Sequence, residues 1–299
     1  MRQPVFTGAC VAITTPFTPD GSKVDFDAFA AQIERQIAGG TDAICVCGTT
    51  GESATQTMEE HKLTTEFCIR QVAGRAKVIA GCGSNDTAAA VELAQHAEAA
   101  GADGLLMVTP YYNKATQTGL VKHYTYVADR VNTPIILYNV PSRTGCNIAV
   151  STYEALSKHP NIVGVKEASG NFSAIPDIRK RCGDDFYIWS GNDDQVVPLM
   201  SLGGKGVISV VSNVAHEYMV RMTHLALEGR FEEAARMQID LIDLVNALFI
   251  EVNPIPVKAA MAMLGLDSGA LRMPLCEISE ANAAKLRQTL LDFGIELKH

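Results

Sequence analysis

Eight short apolar runs, spaced about 20 to 35 residues apart, constrain the fold of this chain more than any other feature. Each run is nearly continuous in apolar, often β-branched residues, which is typical of parallel strands covered on both faces by helices. The runs predict strands over residues 10–13, 43–47, 78–80, 105–108, 135–138, 162–165, 186–189 and 207–210.

Helix-like stretches follow these strands. We predict helices over residues 25–38, 58–72, 86–100, 116–130, 150–157, 172–182, 193–202 and 215–228. Eight strands alternating with eight helices favour an α/β fold, a (β/α)8 TIM barrel. A doubly wound open sheet is the alternative, although it usually has fewer strands.

About 70 residues remain after the eighth unit, and they read as helices over 231–250, 256–264 and 277–293. Pro254 and Pro256 mark a break between the first two of these helices. We therefore predict a catalytic barrel over residues 1–229 and a C-terminal helical region over 230–299. This region is expected to pack on the barrel or on another subunit.

Composition and charge exclude several classes of function. The chain has 33 acidic and 25 basic side chains, and no cluster of Lys and Arg that would bind nucleic acid. No apolar run reaches the roughly 18 residues of a membrane span, and prolines interrupt the N-terminal segment too early for a signal peptide. The eight cysteines have no CxxC spacing, so we expect reduced, buried thiols and a cytoplasmic enzyme without membrane partners.

The chain offers no clear motif for a metal or a nucleotide. Its seven histidines form no HExxH pattern, so no metal is expected. The glycine-rich segment 81–86 lacks the third glycine of a dinucleotide fingerprint. The glycines at 203–206 precede the eighth strand, at the end opposite to a barrel phosphate site.

The residues directly after each strand carry the candidate chemistry, since the active site of a TIM barrel lies at the carboxyl ends of its strands. Lys166 follows the sixth run, and a desolvated lysine is the nucleophile that forms a Schiff base with a carbonyl. Its alternative role is an ion pair with Glu167. Tyr138 ends the fifth run, where its phenol could exchange protons with a hydroxyl such as that of Thr49.

Two further segments offer groups that bind a carboxylate. The loop at 48–51, with Thr50, presents free N–H groups and hydroxyls between a strand and a helix. Arg143 lies in a turn where its guanidinium could hold a second carboxylate, with a surface ion pair as the alternative. The neighbouring Tyr111 and Tyr112 in a loop indicate interface packing more often than catalysis.

Three ordered motifs together resemble one known family. They are GTTGE at 48–52, YNVPSRTG at 138–145 and VKE at 165–167. In this combination the chain resembles the pyruvate-dependent class I aldolase family that includes N-acetylneuraminate lyase, over its whole length.

The resemblance implies a Schiff base between Lys166 and pyruvate, with no metal or organic cofactor. It also implies a proton relay of Tyr138, Thr49 and Tyr112, the last supplied across a subunit interface. Thr50, Gly191 and the backbone of Ile208 are expected to bind substrate, and Arg143 the carboxylate of the aldehyde. A barrel that had kept the fold but lost the chemistry would lack Lys166 or Tyr138, and both are present.

Two residues indicate the branch of the family. Thr49 and Arg143 favour condensation of pyruvate with L-aspartate 4-semialdehyde, on the diaminopimelate route to lysine, over the sugar-acid lyases that are the alternative. The resemblance also implies a homotetramer, built as a dimer of dimers.

The resemblance also implies a possible lysine site, because relatives that are inhibited by lysine bind it in a pocket at the dimer interface. The matching positions here are Ser53, Ala54, His61, Asn85 and Tyr111. The chain departs from those relatives at Gln56 and Met58, and it has Ala89 where they carry a glutamate. We therefore predict weak or absent inhibition by lysine.

Overall fold

The computed structural model describes residues 3–298, in which eight parallel strands close into a barrel. The strands follow one another in chain order, and the last pairs with the first. They are β1 (Gly8–Ala12), β2 (Ala43–Val46), β3 (Lys77–Gly81), β4 (Gly104–Val108), β5 (Ile135–Asn139), β6 (Ile162–Glu167), β7 (Tyr187–Ser190) and β8 (Gly206–Ser209). The predicted TIM barrel is confirmed, and the alternative of an open sheet is wrong.

Helices surround the barrel and extend beyond it. Along the barrel they are α1 (Phe26–Ala38), α2 (Met58–Val72), α3 (Thr87–Ala100), α4 (Gln117–Ala128), α5 (Pro141–Thr144), α6 (Val150–Leu156), α7 (Ala174–Cys182), α8 (Val196–Ser201) and α9 (Ser212–Leu227). The C-terminal helices are α10 (Phe231–Asp240), α11 (Ile242–Leu248), α12 (Ile255–Met263) and α13 (Glu280–Asp292). Short 3-10 turns lie at Ser53–Thr55 and Asp193–Gln195.

Local capping explains why several predicted helices begin where they do. Thr57 and Glu60 form a reciprocal capping box at the start of α2. The Asp86 carboxylate accepts from the N–H of Ala88 at the start of α3, and Gly101 ends that helix in the left-handed region with φ of 96°. These signals are local in sequence, so the boundaries of both helices are predictable.

Long-range contacts shift other helix boundaries. The single helix predicted over 231–250 is wrong, because the helical region divides at Leu241 into α10 and α11. The Met237 carbonyl near this break accepts both from the Leu241 N–H at 3.1 Å and from the Tyr218 hydroxyl at 2.9 Å. The helix predicted from 277 begins only at Glu280, since the Ser279 N–H and hydroxyl both bind Glu251 of the preceding segment.

Three smaller differences concern the barrel helices. The four-residue helix α5, with Pro141 in its first turn, was not predicted. The first turn of the helix predicted over 193–202 is a 3-10 turn. Helix α9 begins three residues before the predicted 215, with a non-helical residue at Ala215.

The apolar residues form a barrel interior and two outer layers. Inside the barrel, Phe6 stacks on Trp189 with ring centroids 5.2 Å apart, and the Trp189 indole donates to the Phe6 carbonyl. The C-terminal helices pack in one apolar cluster with α8, α9 and strands of the barrel. A boundary between two domains at 229/230 stays a prediction. Within residues 3–298 no helix is long and apolar enough to cross a membrane.

Candidate active site

A cavity of about 220 Å³ lies at the carboxyl ends of the strands. Six of the eight residues predicted for catalysis or substrate binding line it, and they come from four different strand ends. These six are Lys166, Tyr138, Thr49, Thr50, Arg143 and Gly191.

Lys166 is a buried amine without a counter-ion. It lies in β6, next to Tyr138 of β5 and Trp189 of β7 in the strand register. Its side chain is buried, and its Nζ lies 4.4 Å from the centroid of the Tyr138 ring. Within residues 3–298, no hydrogen bond or ion pair reaches this amine. The amine is therefore available to a substrate in the cavity.

Glu167 does not pair with Lys166, because successive side chains of a strand point to opposite faces. Its carboxylate accepts from the Tyr153 hydroxyl at 2.9 Å and from the Ser169 N–H at 2.7 Å. The Asn139 amide lies 3.2 Å from both carboxylate oxygens. The ion pair considered as an alternative is thus absent, and the carboxylate anchors the outer face of β6 instead.

Gly191 leaves room beside the amine. A Cβ at this position would lie 3.1 Å from both Cγ and Cε of Lys166, and 2.7 Å from the Ala168 Cβ. Distances this short require the neighbours to shift. A side chain here would therefore press on the lysine, which explains a glycine at the end of β7.

The loop after β2 presents unpaired N–H groups to the cavity. The N–H groups of Gly51 and Glu52 bond back to the carbonyls of Gly48 and Thr49, both at 3.1 Å. Among the described residues, the N–H groups of Thr49 and Thr50 have no acceptor, and Thr50 is buried. Buried N–H groups need a partner, and a carboxylate is a suitable one.

Arg143 is free to bind an anion. It lies in α5, and one guanidinium nitrogen donates to the Asn253 carbonyl at 3.3 Å. In the described part of the chain its guanidinium has no carboxylate partner, so the alternative of a surface ion pair is not observed. A planar guanidinium at the mouth of the cavity suits a second carboxylate.

Two buried groups next to the cavity have shifted pKa values. Burial raises the pKa of the Cys45 thiol to about 11, so this thiol stays protonated and does not compete with the lysine as a nucleophile. Burial also raises the pKa of the Asp193 carboxyl, which accepts from the N–H groups of Val210 at 2.9 Å and Val211 at 3.2 Å. Asp193 thereby fixes the chain directly after β8.

The other two predicted residues lie outside the cavity lining. The side chain of Tyr112 is 90% exposed, on a residue with φ of 68° in the loop after β4. Ile208 is buried in β8 and packs in the barrel interior with Tyr138. A single chain therefore does not bring Tyr112 to Lys166.

A second cavity, of about 450 Å³, adjoins the first. Thr49, Val140 and Arg143 line both. Of the five residues predicted for a lysine site, four line this second cavity together with the three departing positions: Ser53, Ala54, His61, Tyr111, Gln56, Met58 and Ala89. Asn85 is not in the lining, and its carbonyl accepts from the Asn113 side chain.

The C-terminal region contributes to the first cavity, which was not predicted. Phe249 and Asn253 line it, and Lys258 of α12 forms a fully buried ion pair with Glu52 at 2.7 Å. Two signals were available in the sequence. Asn253 directly precedes Pro254 at a predicted helix break, and Lys258 is the one charged residue in the predicted helix 256–264.

Comparison with known proteins gives a family and close relatives. The profile of the Dihydrodipicolinate synthetase family matches residues 5–292. A 4-hydroxy-tetrahydrodipicolinate synthase of a Thermoanaerobacter species is 53% identical over 293 residues, covering 98% of each chain. The crystal structure of dihydrodipicolinate synthase from Aquifex aeolicus has a TM-score of 0.96 and 48% identity, covering 98% of this chain and 100% of the other.

A third similar protein was crystallised with pyruvate. It is the chloride-inhibited dihydrodipicolinate synthase from Acinetobacter baumannii, whose crystal structure is a complex with pyruvate. It is 40% identical, with a TM-score of 0.95 and coverage of 97% of this chain and 99% of the other.

Proposed function

Since the chain belongs to the dihydrodipicolinate synthetase family, we propose that it condenses pyruvate with L-aspartate 4-semialdehyde through an imine on Lys166. Its activity is that of a 4-hydroxy-tetrahydrodipicolinate synthase, a lyase on the diaminopimelate route to lysine. The family match and these relatives favour this activity over the sugar-acid lyase that the sequence left open. The buried Lys166 amine, unpaired at the cavity wall, is the observation that carries the mechanism.

The first step joins pyruvate to the enzyme. The neutral amine of Lys166 attacks C2 of pyruvate, and the resulting carbinolamine loses water to give the imine. The Tyr138 hydroxyl supplies and recovers the protons that the carbinolamine oxygen needs, with Thr49 as its partner in the relay. The unpaired N–H groups of Thr49 and Thr50 hold the pyruvate carboxylate, and the backbone of Ile208 is proposed to contact the same substrate.

The second step forms the new carbon–carbon bond. The imine loses a proton from C3 to become an enamine, whose C3 attacks the aldehyde carbon of the semialdehyde. Arg143 holds the carboxylate of the semialdehyde at the mouth of the cavity. The amino group of the same substrate then attacks the imine carbon, which closes the ring and releases the Lys166 amine.

The relay as proposed needs a second subunit. We infer that Tyr112 enters the active site of a neighbouring chain, within a homotetramer made of two dimers. The exposure of Tyr112 supports this inference, because the ring does not line the cavity of its own chain and is free to contact another. Sedimentation combined with activity assays tests it, since a fully active monomer would contradict a shared relay.

Inhibition by L-lysine is expected to be weak or absent. The second cavity has the expected Ser53, Ala54, His61 and Tyr111 in its lining, but Ala89 offers no carboxylate to an ammonium group there. Burial lowers the pKa of His61, and its Nε2 lies 2.7 Å from the Gly81 carbonyl. Half-maximal inhibition at submillimolar lysine in a steady-state assay would contradict this expectation.

We also place the enzyme in the cytoplasm. The eight cysteines are free thiols, and six of them are buried, which is consistent with a reducing compartment. Fractionation of cells followed by detection of the protein tests this placement.

The activity itself is tested with two substrate pairs. Purified protein is assayed for condensation of pyruvate with L-aspartate 4-semialdehyde and, separately, for cleavage of N-acetylneuraminate. We expect turnover in the first assay alone. Turnover only in the second would move the protein to the sugar-acid lyases while leaving imine chemistry in place.

A further inference from the structure

The loop that presents the Thr49 and Thr50 N–H groups is held from the C-terminal helices by a buried lysine. Lys258 of α12 is completely buried, and its Nζ lies 2.7 Å from Glu52 Oε1 and 3.0 Å from the Thr15 carbonyl. The same amine lies 4.2 Å from the centroid of the Phe17 ring. One side chain thus joins α12 to the loops that follow both β1 and β2.

Glu52, whose carboxylate Lys258 binds, has an unusual backbone conformation. It follows Thr50 and Gly51 directly, and its φ of 51° lies in the left-handed region, which non-glycine residues seldom adopt. Its second carboxylate oxygen accepts from the Arg272 N–H at 3.1 Å. Both oxygens are therefore bound by groups of the C-terminal region, at the point where the loop backbone is strained.

Asn253 makes a second connection to the same loop. Its side-chain amide donates to the Thr50 hydroxyl at 3.1 Å, and its carbonyl accepts from Arg143 at 3.3 Å. Asn253 also lines the first cavity. The two groups that are proposed to bind the substrate carboxylates are thus bonded to one residue of the segment before α12.

We propose that Lys258 and Asn253 are positioning residues for pyruvate, which hold the loop at 48–52 so that its free N–H groups face the carboxylate. This inference rests on the proposed function, in which Lys166 forms an imine with pyruvate. A pair that only stabilised the fold would leave the affinity for pyruvate unchanged in any variant that still folds.

The test uses a double variant, Lys258→Met with Glu52→Gln, because removing one partner alone would leave an unpaired buried charge. Borohydride trapping of the Lys166 adduct is measured over a range of pyruvate concentrations, together with steady-state KM for both substrates. We expect the half-saturating pyruvate concentration to rise about tenfold, while KM for the semialdehyde and the maximal trapped fraction change less than twofold.

The matched control is Leu286→Ala in α13, which opens a space in the buried C-terminal cluster without touching the loop. It is expected to lower thermal stability and to leave half-saturating pyruvate unchanged. An unchanged value in the folded double variant, or an equal rise in the control, would overturn the proposal.

A second variant applies if the double variant does not fold. Asn253→Ala removes the donor to Thr50 and keeps the Lys258–Glu52 pair, and we expect a several-fold rise in half-saturating pyruvate. No rise would overturn the proposal. If the unaltered enzyme itself forms no adduct, the proposed function fails and this inference fails with it, whereas normal trapping with unchanged variants removes this inference alone.

Discussion

Two lysines are buried in this protein, and their surroundings differ in one decisive respect. Lys166 and Lys258 each lie with Nζ close to an aromatic ring, 4.4 Å from the centroid of Tyr138 and 4.2 Å from that of Phe17. Lys258 has a carboxylate and a carbonyl as partners. Lys166 has neither among the described residues, and it faces a cavity.

The difference distinguishes an amine held in an ion pair from an amine that a substrate can reach. Lys258 is held by Glu52 in a buried ion pair, so its amine is not free to attack a carbonyl. The Lys166 amine has no such partner among the described residues, and a substrate in the cavity can reach it. Burial alone therefore does not single out a nucleophile, and the lack of a partner at the wall of a cavity supports Lys166 in that proposed role.

The largest effect is expected from Lys166→Met. It removes the amine that is proposed to form the imine, so activity should fall by about 10⁴-fold or more. The free energy of unfolding should not fall, because no ion pair or hydrogen bond of the described structure is lost. Steady-state assays measure the loss of activity, and urea unfolding measures the free energy of unfolding. Residual activity within tenfold of normal would contradict the proposed difference between Lys166 and Lys258.

Lys258→Met, in contrast, should lower the free energy of unfolding. It leaves the Glu52 carboxylate buried without its cation, which typically destabilises a protein by about 3–5 kcal/mol. Urea unfolding measures the loss, with Lys285→Met on the surface helix α13 as the control. A loss no larger than that of the control would mean that the pair contributes little, and would remove the contrast between the two lysines.

The two aromatic neighbours offer a finer test, since the ring beside Lys166 carries a hydroxyl and the ring beside Lys258 does not. Tyr138→Phe should lower kcat by about 10²–10³-fold, because proton transfer to the carbinolamine is lost while the ring remains. Tyr126→Phe, on the half-exposed face of α4, is the control and should change kcat little. A kcat for Tyr138→Phe near that of the control would remove the tyrosine from the relay.

The smallest effect concerns a second carboxylate near Lys258. Burial raises the pKa of Asp267 from 3.8 to about 6, even though the charge of Lys258 lowers it. Because the folded pKa exceeds the unfolded one, the folded state binds this proton more tightly. The contribution to stability is therefore complete below pH 4 and is lost as the pH rises through about 6.

Asp267→Asn removes this penalty at neutral pH. We expect the free energy of unfolding to rise by about 1–3 kcal/mol at pH 7.5 and to stay unchanged at pH 4. Asp184→Asn, at an exposed ion pair, is the control and should change little at either pH. A gain that is equal at both pH values would show that the charge of Asp267 is not its source.

The barrel and much of its active site could be predicted from the sequence, because both depend on local order. Strands covered on both faces read as continuous apolar runs, and the residue after each run lies at the carboxyl end of a strand. Lys166 and Tyr138 could be placed together on that rule alone. Their register in neighbouring strands, Tyr138 beside Lys166, agrees with it.

The parts that could not be predicted depend on long-range contacts. Glu52 and Lys258 are 206 positions apart, and Thr50 and Asn253 are 203 apart, so no spacing rule joins them. The proposed position of Tyr112 in the active site of a second chain likewise depends on contacts between chains, which the sequence of one chain does not specify.

The most direct test of the central claim compares the two lysines in one experiment. The protein is incubated with pyruvate and borohydride, digested, and the peptides that contain Lys166 and Lys258 are analysed by mass spectrometry. We predict a reduced pyruvate adduct on Lys166 and none on Lys258. An adduct on Lys258, or none on Lys166, would contradict the account.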